Sequence, residues 1–221
     1  MISPLAVVES TFRTAANCRR CFEPSSGLNV RSAQIDVAQP RWVGPDYETS
    51  KRRVLLLMLN PGAGASRTEK NAEFRDVLRG VRSGTREFST LLDFIRDDIF
   101  DWGRGRFIDF IHDCGLSLDN IALANVAWCA TSGDEYPKEM LRTCFALHTC
   151  SLLRGLAPTT VVLGGILVWP FATSVSAILP AAKVIKTIHY ANRGSKQERT
   201  AALRQVQSEI FGRSPTLPNS E

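Results

Sequence analysis

Four short apolar runs punctuate the chain, and each ends at a polar or turn-forming residue. Val54-Leu55-Leu56-Leu57-Met58-Leu59 has no polar position before Asn60-Pro61-Gly62, which is the pattern of a strand buried on both faces. Ile121 to Val126, Thr159 to Leu163 and Lys183 to Ile188 repeat that character, closing respectively near Asn125, at Gly164-Gly165 and at His189. Helix-period stretches fill the gaps at 71–82, 86–99, 104–114, 137–154, 166–179 and 195–211, and residues 3–16 read as a short amphipathic helix. Alternating strands and helices predict parallel pairing with helices on both faces. The expected architecture is a three-layer α/β/α domain around a central, mostly parallel four-stranded sheet. Residues 24–50, rich in Pro, Gly, Ser and Gln, read as an irregular connection holding at most an edge strand, and 212–221 as a tail. Ligands of such sheets bind beyond the carboxyl ends of the strands. Those ends carry Asn60-Pro61-Gly62, Asn125 to Cys129, Gly164-Gly165 and His189.

Composition narrows the classes. The 221 residues suit one domain, and 44% hydrophobic with 22% charged residues is the balance of a globular chain with a sizeable core. No apolar run is long enough to span a bilayer, so no membrane association is expected. Met1-Ile2-Ser3-Pro4 has no basic region leading into an apolar block, and a cytoplasmic location is expected. The net charge is +5, and 21 of the 27 basic residues are arginine. Arginine forks pair well with phosphate oxygens, so nucleic acid is a candidate partner, although an arginine-rich composition has the same appearance.

Six cysteines stand at 18, 21, 114, 129, 144 and 150. A disulfide framework is not expected in the cytosol. Cys18 and Cys21 form a C-x-x-C, Cys129 follows a strand, and Cys144 lies fifteen residues further on a helix. Cys114 and Cys150 fall among Leu, Ile and Phe and read as core residues. Four thiolates from three places could hold zinc or an iron–sulfur cluster, and spacing does not choose between them.

This combination resembles the uracil-DNA glycosylase superfamily, and in particular its iron–sulfur branch. The resemblance covers residues 12–211. It rests on the early C-x-x-C, on Asn125-Val126-Ala127-Trp128-Cys129 with Cys144, on Tyr136-Pro137, on Leu156-Ala157-Pro158, on Val161-Val162-Leu163-Gly164, and on the late His189. It implies a monomeric enzyme that hydrolyses the N-glycosidic bond of uracil in DNA, with a 4Fe-4S cluster on Cys18, Cys21, Cys129 and Cys144 and zinc as the second choice. The first motif departs from the branch. It reads Met58-Leu59-Asn60-Pro61-Gly62, which puts Leu59 where the branch has an acid and resembles the Gly-x-Asn-Pro-Gly of the mismatch-specific and single-strand-selective branches. The histidine motif is His189-Tyr190-Ala191 rather than His-Pro-Ser or His-Pro-Ala, and residues 66–99 read as an insertion.

Carried onto these positions, the resemblance gives each residue a task. His189 would donate to the uracil O2 as charge develops there, a contribution of the oxyanion-hole type. Asn60 is not basic and would orient water through its amide oxygen, with Leu59, Pro61 and Gly62 shaping the turn beside the ligand. Asn125 would read the Watson–Crick edge of the flipped base. Phe100 falls where the family stacks a phenylalanine on the base, with Trp102 and Phe74 as rivals. Tyr190 to Gly194 would probe the minor groove, with Tyr190, Asn192, Arg193 and Lys196 as DNA contacts. His112 and His148 better suit surface or packing roles. Two other readings stay open: an iron–sulfur nucleic-acid-binding protein of this fold without turnover, and a protein that bonds to the abasic sugar through His189.

Overall fold

The computed structural model describes residues 3–62, 68–191 and 194–212, apart from the Lys196 side chain. Four strands, β1 (Val54–Met58), β2 (Ile121–Asn125), β3 (Thr160–Gly164) and β4 (Lys183–Thr187), form one sheet in the order β2-β1-β3-β4, and every pairing is parallel. All five residues of β1, β2 and β3 are buried, which requires cover on both faces. In β4 burial alternates with exposure, so one of its faces is covered less completely. The three-layer α/β/α expectation therefore holds, and the sheet is wholly parallel. Met58 pairs with Asn125 and Gly164 with Thr187, so the carboxyl ends of the strands lie level along one rim.

The helices follow the sequence pattern with informative departures. In α1 (Pro4–Ala16), Ser3 Oγ accepts from the Ala6 N–H at 3.3 Å, and Val8, Phe12 and Ala15 bury one face. The segment expected as an insertion folds into α2 (Thr68–Ser83) and α3 (Phe88–Ile99), which pack on one another. The next helix, α4 (Arg106–Asp113), starts two residues later than its periodicity suggests, because Gly103, Arg104 and Gly105 all have positive φ. The single helix expected over 137–154 is divided into α5 (Lys138–Cys144), a wider π turn at Phe145–Thr149, and α6 (Cys150–Leu156). That turn buries His148 and Thr149. Helix α7 (Ala172–Ile178) packs on α6 and β4, and α8 (Lys196–Phe211) on α4 and β4. A reciprocal Ser195–Glu198 capping box opens α8.

The irregular connection does not form a strand of its own. It runs along the free edge of β2, where Trp42 O accepts from Leu123 N at 2.7 Å and the Gly44 N–H donates to Ile121 O at 2.9 Å. A Cβ at position 44 would sit 2.2 Å from Asp119 O, so only glycine permits this approach. The edge is thereby covered, and residues 35–41 are carried to the sheet rim. No helix among the described residues is long and apolar enough to cross a membrane.

Candidate functional site

A cavity of about 190 Å³ lies beyond the strand ends, lined by Asn60 and Gly62 after β1, Asn125 at the end of β2, and His189 after β4. It is smaller than the roughly 300 Å³ and upward of drug-sized ligand sites, which suits a single planar ring. Three residues expected to act together therefore line one cavity. Pro61 is buried in the turn beneath them, and Leu59 packs partly against the core while its carbonyl accepts from Ala127 N at 2.8 Å.

Asn60 is held by its amide nitrogen, which donates to the Tyr136 hydroxyl at 2.9 Å and to Asp134 Oδ1 at 3.1 Å. With both donors committed, the side-chain oxygen is left as an acceptor. His189 Nδ1 accepts from the Ala191 N–H at 3.1 Å, which puts the proton of the neutral ring on Nε2. Burial, and next the nearby Arg106 cation, lower the His189 pKa below its usual value. At neutral pH His189 is an uncharged N–H donor.

Asn125 is 3% exposed. With its amide oriented to suit its neighbours, its oxygen accepts from Arg41 Nε at 2.7 Å and its nitrogen donates to Ala124 O at 3.2 Å. Desolvation pulls the Arg41 pKa down to about 10, against the opposing pull of Asp98 and the two tyrosines Tyr190 and Tyr136. The Arg41 guanidinium lies 4.8 Å from the ring centre of Trp102, whose indole N–H donates to Asp98 Oδ2 at 2.8 Å. Lys70 in turn pairs with Asp98 at 3.0 Å.

Trp102 and Phe74 line the cavity, whereas Phe100 does not. The buried face of α3 is spent on Phe88, Leu91, Ile95 and Ile99, and the next position along turns to solvent, leaving Phe100 54% exposed. The aromatic wall thus comes from the two rivals, with Phe74 stacked on Phe94 at 4.9 Å. Tyr190 is also part of the wall rather than a protruding loop tip. Its ring meets Phe107 edge-on at 4.9 Å and covers Gly103, where a Cβ would come within 2.8 Å.

A comparison with models of known protein families finds no match, and one with curated proteins finds none either. The site is read from its own residues.

The four cysteines singled out by spacing, Cys18, Cys21, Cys129 and Cys144, ring one nearly closed pocket together with His148. Cys114 is buried elsewhere and Cys150 is half-buried. Desolvation first, and then the neighbouring thiols Cys18 and Cys21, push the Cys129 thiol up to about 12. Cys144 is raised for the same reasons, with Cys129 its nearest thiol influence, although the Trp128 N–H donates to its sulfur at 3.1 Å. Both His148 ring nitrogens are enclosed without a partner among the described residues. Among the described residues, no group of three His, Cys, Asp or Glu side chains is arranged to hold a metal ion.

Beside the main cavity, Arg106 and Arg199 line a second one of about 320 Å³ that shares His189 and Tyr190. Asn192 and Arg193 lie outside the described residues, as does the side chain of Lys196. Sequence reasoning missed Gln39, Arg41 and Asp98, all of which line the main cavity. Gln39 and Arg41 sit in a stretch without periodicity, and Asp98 lies in the segment read as an insertion, so nothing in the pattern marked them.

Proposed function

We propose that this chain is a monofunctional DNA glycosylase that hydrolyses the N-glycosidic bond of uracil and leaves an abasic site. The observation that carries the reading is the convergence of Asn60, Asn125 and His189 on one ring-sized cavity, with His189 neutral and its Nε2 proton available. The target base must leave the stack before it reaches such a cavity. Trp102 and Phe74 provide apolar walls for it.

In the reaction the electron pair of the C1′–N bond leaves with the base, and a water oxygen bonds to C1′. The proton that the water sheds balances the charge on the departing base. His189 Nε2–H stabilises that charge by hydrogen bonding, an effect of about 3–4 kcal/mol for a well-placed donor. Asn60 orients the water through its fixed amide oxygen and takes no proton. The net charge of +5 favours a polyanionic partner.

The cysteine pocket is part of the same proposal: Cys18, Cys21, Cys129 and Cys144 would hold a 4Fe-4S cluster, and what supports this is that all four line one pocket. The neutral His148 ring beside them has one enclosed N–H without an acceptor, which cluster sulfur would offer. Held by these cysteines, it would join the C-x-x-C after α1 to the β2–α5 region.

A uracil-containing oligonucleotide incubated with the protein and then treated with alkali tests the proposal. Strand scission at uracil is expected, and its absence would overturn the reading.

A further inference from the structure

We propose that Gln39, seconded by Arg41, reads a carbonyl oxygen of the everted base and so sets the preference for uracil over cytosine. The inference rests on the glycosylase reading and adds a specificity-determining residue to it.

Gln39 is 1% exposed and lines the cavity, and its Nε2 is enclosed with no partner among the described residues. Its backbone is fixed, since the Gln39 N–H donates to Trp128 O at 2.7 Å. A buried amide left unpaired carries a free-energy cost. A ligand bringing an acceptor into the cavity removes that cost. Arg41 offers only donors, and one of them is spent on Asn125.

Asn125, by contrast, has its oxygen taken by Arg41 and its nitrogen by Ala124. It positions Arg41, and with its oxygen so engaged only its second amide hydrogen is left to meet a base. The donors that remain, on Gln39, Arg41 and His189, call for a base rich in acceptors. Uracil supplies carbonyl oxygens. Cytosine turns an amino group, itself a donor, toward the same wall, and leaves Gln39 Nε2 unpaired as well. Sites built to satisfy a ligand hydrogen bond reject the analogue that lacks it strongly, because their own polar groups are then stranded.

The test compares the unsubstituted protein with Gln39→Met and Gln39→Glu on oligonucleotides carrying uracil, 2-thiouracil or 4-thiouracil. Sulfur is a weaker acceptor than oxygen, and intrinsic differences between leaving groups cancel when ratios are compared across proteins. For 4-thiouracil, in which sulfur replaces the oxygen that cytosine exchanges for an amino group, the uracil-to-thiouracil ratio of kcat/KM should fall by about tenfold in both variants; a fall with 2-thiouracil alone overturns the inference. Gln39→Met should also keep or raise the melting temperature, because it removes an unpaired buried amide; a structural glutamine would lower it. Unchanged ratios for both thio-bases, with the unsubstituted protein active on uracil, overturn the inference and leave the glycosylase reading standing. A lower melting temperature for Gln39→Met overturns the premise of an unpaired amide. Absence of excision by the unsubstituted protein overturns the glycosylase reading, and this inference with it.

Discussion

The Asn60 side chain donates to the Tyr136 hydroxyl at 2.9 Å, and this bond, with the one to Asp134, decides which end of the amide is left for water. Tyr136 also accepts from the Thr131 N–H at 3.3 Å, so its oxygen is anchored from a second side. Tyr136→Phe removes one of the two restraints on Asn60 while keeping the ring. One hydrogen bond is worth about 1 kcal/mol, so kcat should drop about fivefold with KM little changed. Steady-state kinetics on a uracil-containing duplex checks this; an unchanged kcat would mean that Asn60 does not orient the nucleophile.

Protonation of His189 links stability to pH. Its folded pKa lies below the unfolded value of about 6.5 because of burial and then Arg106. Between those two values the unfolded chain binds more protons, so stability rises with pH across that window. The contribution is present above about pH 6.5 and is lost as pH falls through the folded value. His189→Gln should therefore flatten the acid side of the melting-temperature profile. Arg106→Gln removes the second cause, and the His189 pKa followed by NMR should move up toward its usual value.

Thr149 links the two sites. Its hydroxyl donates to the Asn125 carbonyl at 2.8 Å and accepts from the Trp128 indole N–H at 3.1 Å. Thr149→Val keeps the shape and strands a buried indole donor, a cost of about 1–3 kcal/mol. Chemical denaturation should show that loss without any change in iron content.

Removing a thiol at the other end of this link tests the proposed cluster. Protein purified without oxygen should be brown and carry iron, and Cys144→Ser should lose the colour and melt at lower temperature. Colourless, zinc-loaded protein would contradict the assignment of the cysteine pocket.

The sheet was legible because its strands are buried on both faces and so appear as unbroken apolar runs; Val54–Met58 and Ile121–Asn125 fall inside the stretches read from the sequence. The polar residues that end these runs, Asn60, Asn125 and His189, were visible for the same reason, and register brings them together. Gln39 and Arg41 were hidden because they come from a connection whose only regularity is its contact with the edge of β2. The choice of Trp102 over Phe100 turned on which face of α3 is buried, and spacing from Gly115 does not encode that. The π turn that points His148 and Thr149 inward is a one-residue widening of a helix, which leaves the apolar period almost unaltered.

The most direct measurement is the rate of free uracil release from single- and double-stranded DNA, read by mass spectrometry, for the unsubstituted protein, Asn60→Ala and His189→Ala. The account predicts release by the unsubstituted protein. It predicts a loss of about a hundredfold or more in His189→Ala, the scale of one lost oxyanion donor, and a clear loss in Asn60→Ala, with DNA binding retained in both. Release at undiminished rate by both variants, or no release by any of the three, would contradict it.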